Sequence, residues 1–87
     1  MNVRFTKHAL EKFGILDRYG FQVTKDQVLD VMGNPDLIDT LSRSPLYVAQ
    51  KALDKNHVLR VVYRLEEGEK VIITFYPGRI KQYGQKR

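Results

Sequence analysis

The chain has 87 residues, 43% of them apolar and 29% charged, with a net charge of +5 and no cysteine. That length suits one hydrophobic core, so a single domain over residues 1–87 is expected, with 84–87 as a frayed tail. Absent cysteines exclude disulfides and thiolate metal sites, and no apolar run reaches the length of a membrane span. The expectation is a soluble, cytoplasmic protein.

Met1–Phe5 reads as a short extended lead-in or an edge strand. Thr6 is a good N-cap, and Lys7 to about Arg18 follows as a first helix with Ala9, Leu10, Phe13 and Leu16 on its apolar face. Gly20 suits the left-handed position that ends it. Thr24-Lys25-Asp26-Gln27 forms a capping box for a second helix, which Gly33-Asn34-Pro35 stops.

The period then changes to two. Leu37–Leu41, Leu46–Leu53, the stretch from His57 and Lys70–Tyr76 read as strands. On the third of these, Leu59, Val61, Tyr63 and Leu65 share a face, and Arg60, Val62 and Arg64 share the other. A three-residue loop at Glu67-Gly68-Glu69 places Arg60 opposite Tyr76 and Val62 opposite Thr74. Lys51 is expected beside Arg60 on the open face, through a four-residue turn that also brings Arg64 near Tyr47, because burying an unpaired lysine is costly. The predicted fold is α+β: two helices on one face of a four-stranded antiparallel meander.

The charge is uneven. Residues 26–39 carry Asp26, Asp30, Asp36 and Asp39 and no base, whereas after Glu69 the charged residues are Lys70, Arg79, Lys81, Lys86 and Arg87. Such a basic half suits RNA, DNA or an acidic protein, or serves solubility alone. Two histidines, His8 and His57, without metal-ligand spacing make a zinc site improbable, and no cofactor is expected.

What remains is a group of cations, hydroxyls and a helical histidine, and a metal-independent ribonuclease needs little more. The ribose 2′-hydroxyl attacks its own phosphate, and the protein supplies a base, an acid and cations. Arg60 and Arg64, with Arg79, are candidates for a phosphate clamp. His8 or Tyr76 is the acid–base candidate. Lys12, Thr74, Lys81 and Tyr83 complete the candidate RNA surface, with Tyr76 and Tyr83 offering stacking rings. The plainer alternative makes Arg60 and Arg64 solvated strand residues and His8 a surface residue.

Phe5-Thr6-Lys7-His8-Ala9-Leu10-Glu11-Lys12-Phe13 resembles the opening helix of small prokaryotic domains similar to BrnT-type toxins of the RelE/ParE superfamily. Asn34-Pro35-Asp36 and Ile73-Thr74-Phe75-Tyr76 resemble later motifs of that group, in the same order. Lys12 stands where arginine is commoner. The resemblance implies a compact RelE-like α/β fold and a toxin–antitoxin role, with metal-independent cleavage of mRNA, often on the ribosome, and neutralisation by a cognate acidic antitoxin. It maps onto His8, Lys12, Thr74 and Tyr76. The rival expectations are a non-catalytic interaction module, which docks an acidic helix or forms a homodimer, and a plain nucleic-acid binder.

Overall fold

Two threonines set the helices. The structure, a computed structural model, describes residues 2–83; the expected fraying of 84–87 and the charges of Lys86 and Arg87 lie outside the described residues. Thr6 Oγ1 accepts from the Ala9 amide at 3.1 Å and opens helix α1, Lys7–Arg18. Thr24 and Gln27 bond each other's backbone amides, at 3.1 and 2.8 Å, to open α2, Lys25–Gly33. Helix α1 ends at Gly20, whose φ of +87° needs no Cβ to be accommodated. The Gly20 amide reaches Asp17 O and the Phe21 amide reaches Leu16 O, which caps two carbonyls left over by the helix.

The strands are β1 Asn2–Phe5, β2 Leu37–Asp39, β3 Tyr47–Ala52, β4 His57–Glu66 and β5 Glu69–Arg79, followed by a single turn of helix, α3, Ile80–Tyr83. They form one mixed sheet in the order β1-β5-β4-β3-β2. The expected four-stranded antiparallel meander is therefore corrected to five strands, and the two expected helices to three. Strands β2 to β5 do pair antiparallel, but Asn2–Phe5 adds to β5 in parallel. The physical reason lies in β5, whose apolar residues on both sides would otherwise leave an exposed sticky edge. Thr6 fixes the joint: its amide donates to Ile72 O at 3.1 Å and its hydroxyl to Ile73 O at 3.3 Å.

The β4–β5 pairing holds Arg60 opposite Tyr76 and Val62 opposite Thr74, as the sequence indicates. The connection differs. It is a two-residue turn, Glu67-Gly68, with φ of 48° and 82°, and a bulge at Ile73 supplies the missing residue. Two-residue turns with positive φ at both centres match the twist of a hairpin, and the bulge restores the register beyond it. Near the turn the faces consequently shift by one: Ile72 rather than Val71 shares the side of Tyr63.

Helix α1 lies over β5 and β1, and α2 over β3 and β4. Between them and the sheet sit Ala9, Leu16, Val28, Val31, Met32, Leu59, Val61, Ile72 and Phe75. Phe75, fully buried, meets Phe13 at 4.6 Å between ring centroids. Burying a side chain of that size contributes about 1.5–3 kcal/mol. The other face of the sheet is covered too: Val48, Val58, Val62 and Val71 have no solvent exposure.

The β3–β4 turn has three residues, Asp54-Lys55-Asn56, and pairs Lys51 with Leu59 and Gln50 with Arg60. The expectation that Lys51 flanks Arg60 is overturned, and with it the pairing of Arg64 and Tyr47; Tyr47 stacks on Tyr63 instead. Lys51 sits on the helix side yet escapes burial, because its stem runs to the rim and Nζ meets Asp30 of α2 at 2.8 Å.

Candidate functional site: a buried arginine hub and a cationic cleft

Arg60 stands at the middle of β4 with only 4% of its surface exposed. A guanidinium cannot shed its charge, so burial demands partners for its donors. Nε donates to the Tyr76 hydroxyl at 3.1 Å from the neighbouring strand. Nη1 donates to Gln50 Oε1 on the other side, and Nη2 donates to Asp39 Oδ2 at 3.1 Å and Ser42 Oγ at 3.4 Å. The Tyr83 ring closes over the group, 4.2 Å from the guanidinium carbon. Despite burial, which disfavours the charge, the Tyr76 and Asp39 bonds hold the Arg60 pKa above its ordinary value.

Asp39 is organised by its own loop. Its carboxylate accepts from the amides of Leu41 and Ser42 at 2.9 and 3.0 Å and from the Ser42 hydroxyl. These Ser42 and Leu41 donors, and then Arg60, hold the carboxyl well below the usual carboxylate range. The hub thus ties β2 and its following loop, β3, β4, β5 and α3 together around one cation.

The candidate residues fall into separate places. Arg60, Tyr76 and Tyr83 come together, with Thr74 on the same strand face. The expected open face is corrected here: Arg60 is internally bonded and covered, because its partners arrive from Asp39, Ser42 and Gln50, distant in sequence. Arg64 lies at the partly exposed end of that face and pairs with Glu66 at 3.3 Å, which also takes Arg4 at 3.0 Å. His8 is exposed and Lys12 partly exposed on α1, across the sheet from Arg60. The proposed set of His8, Arg60 and Tyr76 is therefore not assembled in one place. Arg79 and Lys81 are exposed at the far end of β5 and on α3.

Those last two belong to a feature the sequence reading missed. Lys55, Asn56, His57, Arg79, Ile80 and Lys81 line an open cleft of roughly 530 Å³ between the β3–β4 turn and the start of α3. Small-ligand sites commonly enclose roughly 300–1,000 Å³. The two walls are pinned by the pairing of His57 with Arg79 and by an Ile80 amide bond to Asn56 O at 2.9 Å. Among the described residues, Lys55, Arg79 and Lys81 are the cations of the cleft and no carboxylate lines it.

Asp54 sits just behind. Its carboxylate accepts from the Asn56 and His57 amides, each at 2.8 Å, and shapes the turn. It also meets His57 Nδ1 at 3.0 Å, while Phe21 packs edge-on against the imidazole at 5.5 Å between centroids. The Asn56 amide, then His57, lowers the Asp54 pKa, so the carboxylate is ionised and can only accept. Nδ1 therefore donates to it, and in the neutral imidazole the lone pair lies on Nε2. The signal was available: the hairpin register that pairs Arg60 with Tyr76 also pairs His57 with Arg79.

No helix among the described residues is long and apolar enough to cross a membrane. No family model, curated protein or solved structure matches the chain.

Proposed function

We propose that this chain acts on RNA as a toxin–antitoxin-type protein, a metal-independent endoribonuclease held in check by an acidic antitoxin-like partner. The observation that supports RNA as the target is the cleft, where Lys55, Arg79 and Lys81 surround a space able to take a phosphate. Phosphate contacts of this kind position a strand without reading its sequence. The sequence resemblance to BrnT-type toxins supports the activity. In this reading the phosphate contacts move from Arg60 to the cleft, and Arg60 keeps Tyr76 and Tyr83 in place.

Fluorescence anisotropy with a labelled single-stranded RNA tests it. Three cation–phosphate contacts on a single strand give a log–log salt slope of about −2. A triple Lys55→Ala, Arg79→Ala, Lys81→Ala variant should flatten that slope. Salt-independent binding, or a triple variant that binds as the parent does, would sink the proposal.

The second reading is a nucleic-acid binder without cleavage. It is favoured by the separation of His8 from Arg60 and Tyr76 on opposite sides of the sheet. It expects the same salt slope and no new RNA ends after incubation with a chelator present.

A further inference from the structure

We propose that His57, oriented by Asp54, is the proton acceptor of a phosphodiester-cleaving site in the Lys55–Arg79–Lys81 cleft, with single-stranded RNA as the substrate. This rests on the RNA reading above and supplies what that reading lacks, a titratable group beside the phosphate cations. Three independent facts converge on it. His57 lines the cleft. Its Nδ1 is held by a carboxylate at 3.0 Å, so the ring is fixed with Nε2 as the basic nitrogen. Its strand partner is Arg79, which brings a guanidinium to the same end of the sheet.

The step is a transesterification. His57 Nε2 takes the proton of the ribose 2′-hydroxyl, and O2′ forms a bond to the adjacent phosphorus. The bond from phosphorus to the 5′-oxygen breaks, and that oxygen takes a proton from water. The products are a 2′,3′-cyclic phosphate and a 5′-hydroxyl end, with no metal and no redox partner. Charge on the phosphoryl oxygens grows in the transition state, where Lys55, Arg79 and Lys81 oppose it. The groups facing the imidazole are Asp54 and Lys55 from the turn, Arg79 from β5 and Lys81 from α3, with the Phe21 ring against one side.

Asp54 is a positioning residue, since it acts through His57.

The test uses the full chain and a fluorophore–quencher RNA oligonucleotide, with chelator present. RNA affinity is read in parallel by anisotropy, and folding by the urea midpoint. H57Q should keep the midpoint and bind RNA within about twofold, while cleavage falls by about 10²–10⁴-fold, the usual weight of a positioned base. D54N should cleave more slowly through a lower kcat, with KM and RNA affinity close to the parent's. The cleaved 5′ fragment should carry a cyclic phosphate by mass. H57Q that cleaves at the parental rate overturns the inference and leaves the RNA reading intact. A parent that binds RNA but yields no ends also overturns it, in favour of the plain binder. A parent that does not bind RNA defeats the underlying reading instead.

Discussion

The Arg60 guanidinium lies over the Tyr83 ring at 4.2 Å and reaches Asp39 Oδ2 at 3.1 Å with its other end. One side chain from the middle strand thus joins a strand that precedes it and a helical turn that follows it. Removing it takes one donor each from the Asp39 carboxylate, the Gln50 amide and the Tyr76 hydroxyl, and with them the charge buried among these groups. Arg60→Ala should therefore lower stability by about 3 kcal/mol in urea titration. Arg64→Ala, at an exposed ion pair with Glu66, should leave the midpoint nearly unchanged. Equal midpoints for the two variants would show that the hub is not structural, and any loss of RNA activity in Arg60→Ala should track its loss of fold.

Asp39 makes that hub sensitive to acid. Its folded pKa is depressed by Ser42 and Leu41, then Arg60, relative to about 3.9 for a free aspartate. The stability it contributes is complete above that unfolded value and declines as pH falls toward the folded one. Unfolding free energy measured by urea between pH 6 and pH 2.5 should drop below about pH 4. Asp39→Asn should be less stable at neutral pH and show a shallower acid slope; an unchanged slope assigns the acid sensitivity to Asp30 and Asp54, whose pKa values are also lowered.

Gly78 leaves room for Tyr83. A Cβ placed there would stand 2.2 Å from Tyr83 Cε2, a distance no pair of carbons tolerates. Gly78→Ala should push the ring off Arg60 and cost roughly 1–3 kcal/mol, as overpacking does. Amide exchange at residues 80–83 should accelerate in the variant. Unchanged exchange would place the ring elsewhere in solution.

The β4–β5 turn holds a glutamate, Glu67, at φ of 48°. Left-handed backbone costs an ordinary side chain roughly 1–2 kcal/mol, and asparagine tolerates it better. Glu67→Asn should raise the urea midpoint by an amount equivalent to about 0.5–1 kcal/mol, a fraction of that cost. A lower midpoint would argue that Glu67 has a stabilising contact outweighing its backbone.

Local signals are legible in this sequence, and non-local ones are not. Thr6, Thr24 and Gly20 announce helix ends because capping is settled within a few residues. The pairing of Arg60 with Tyr76 follows from matching apolar faces. Lys51 lies on the helix side because Asp30, far from it in sequence, arrives from α2 to take its charge at the rim. Arg60 stands between Leu59 and Val61 as a solvated strand residue would, and its burial depends on Asp39, Ser42 and Gln50. The bulge at Ile73 was hidden because it compensates for a shorter turn and leaves the far register unchanged. The cleft escaped notice because each of its residues is ordinary in a turn or a strand end, and only the sheet brings Lys55 and His57 to Arg79 and Lys81.

The parallel pairing of β1 with β5 has a consequence for synthesis. Asn2 meets Glu69, and Phe5 meets Ile72, so β1 leaves a ribosome well before the strand it pairs with. Until β5 emerges, α1 has no sheet on which to lay Ala9 and Phe13, and Thr6 has no strand to grip. Such long-range closure slows folding and leaves apolar surface exposed meanwhile. A nascent chain stalled before Ile72 should then remain open to protease, and release of β5 should convert the whole domain at once.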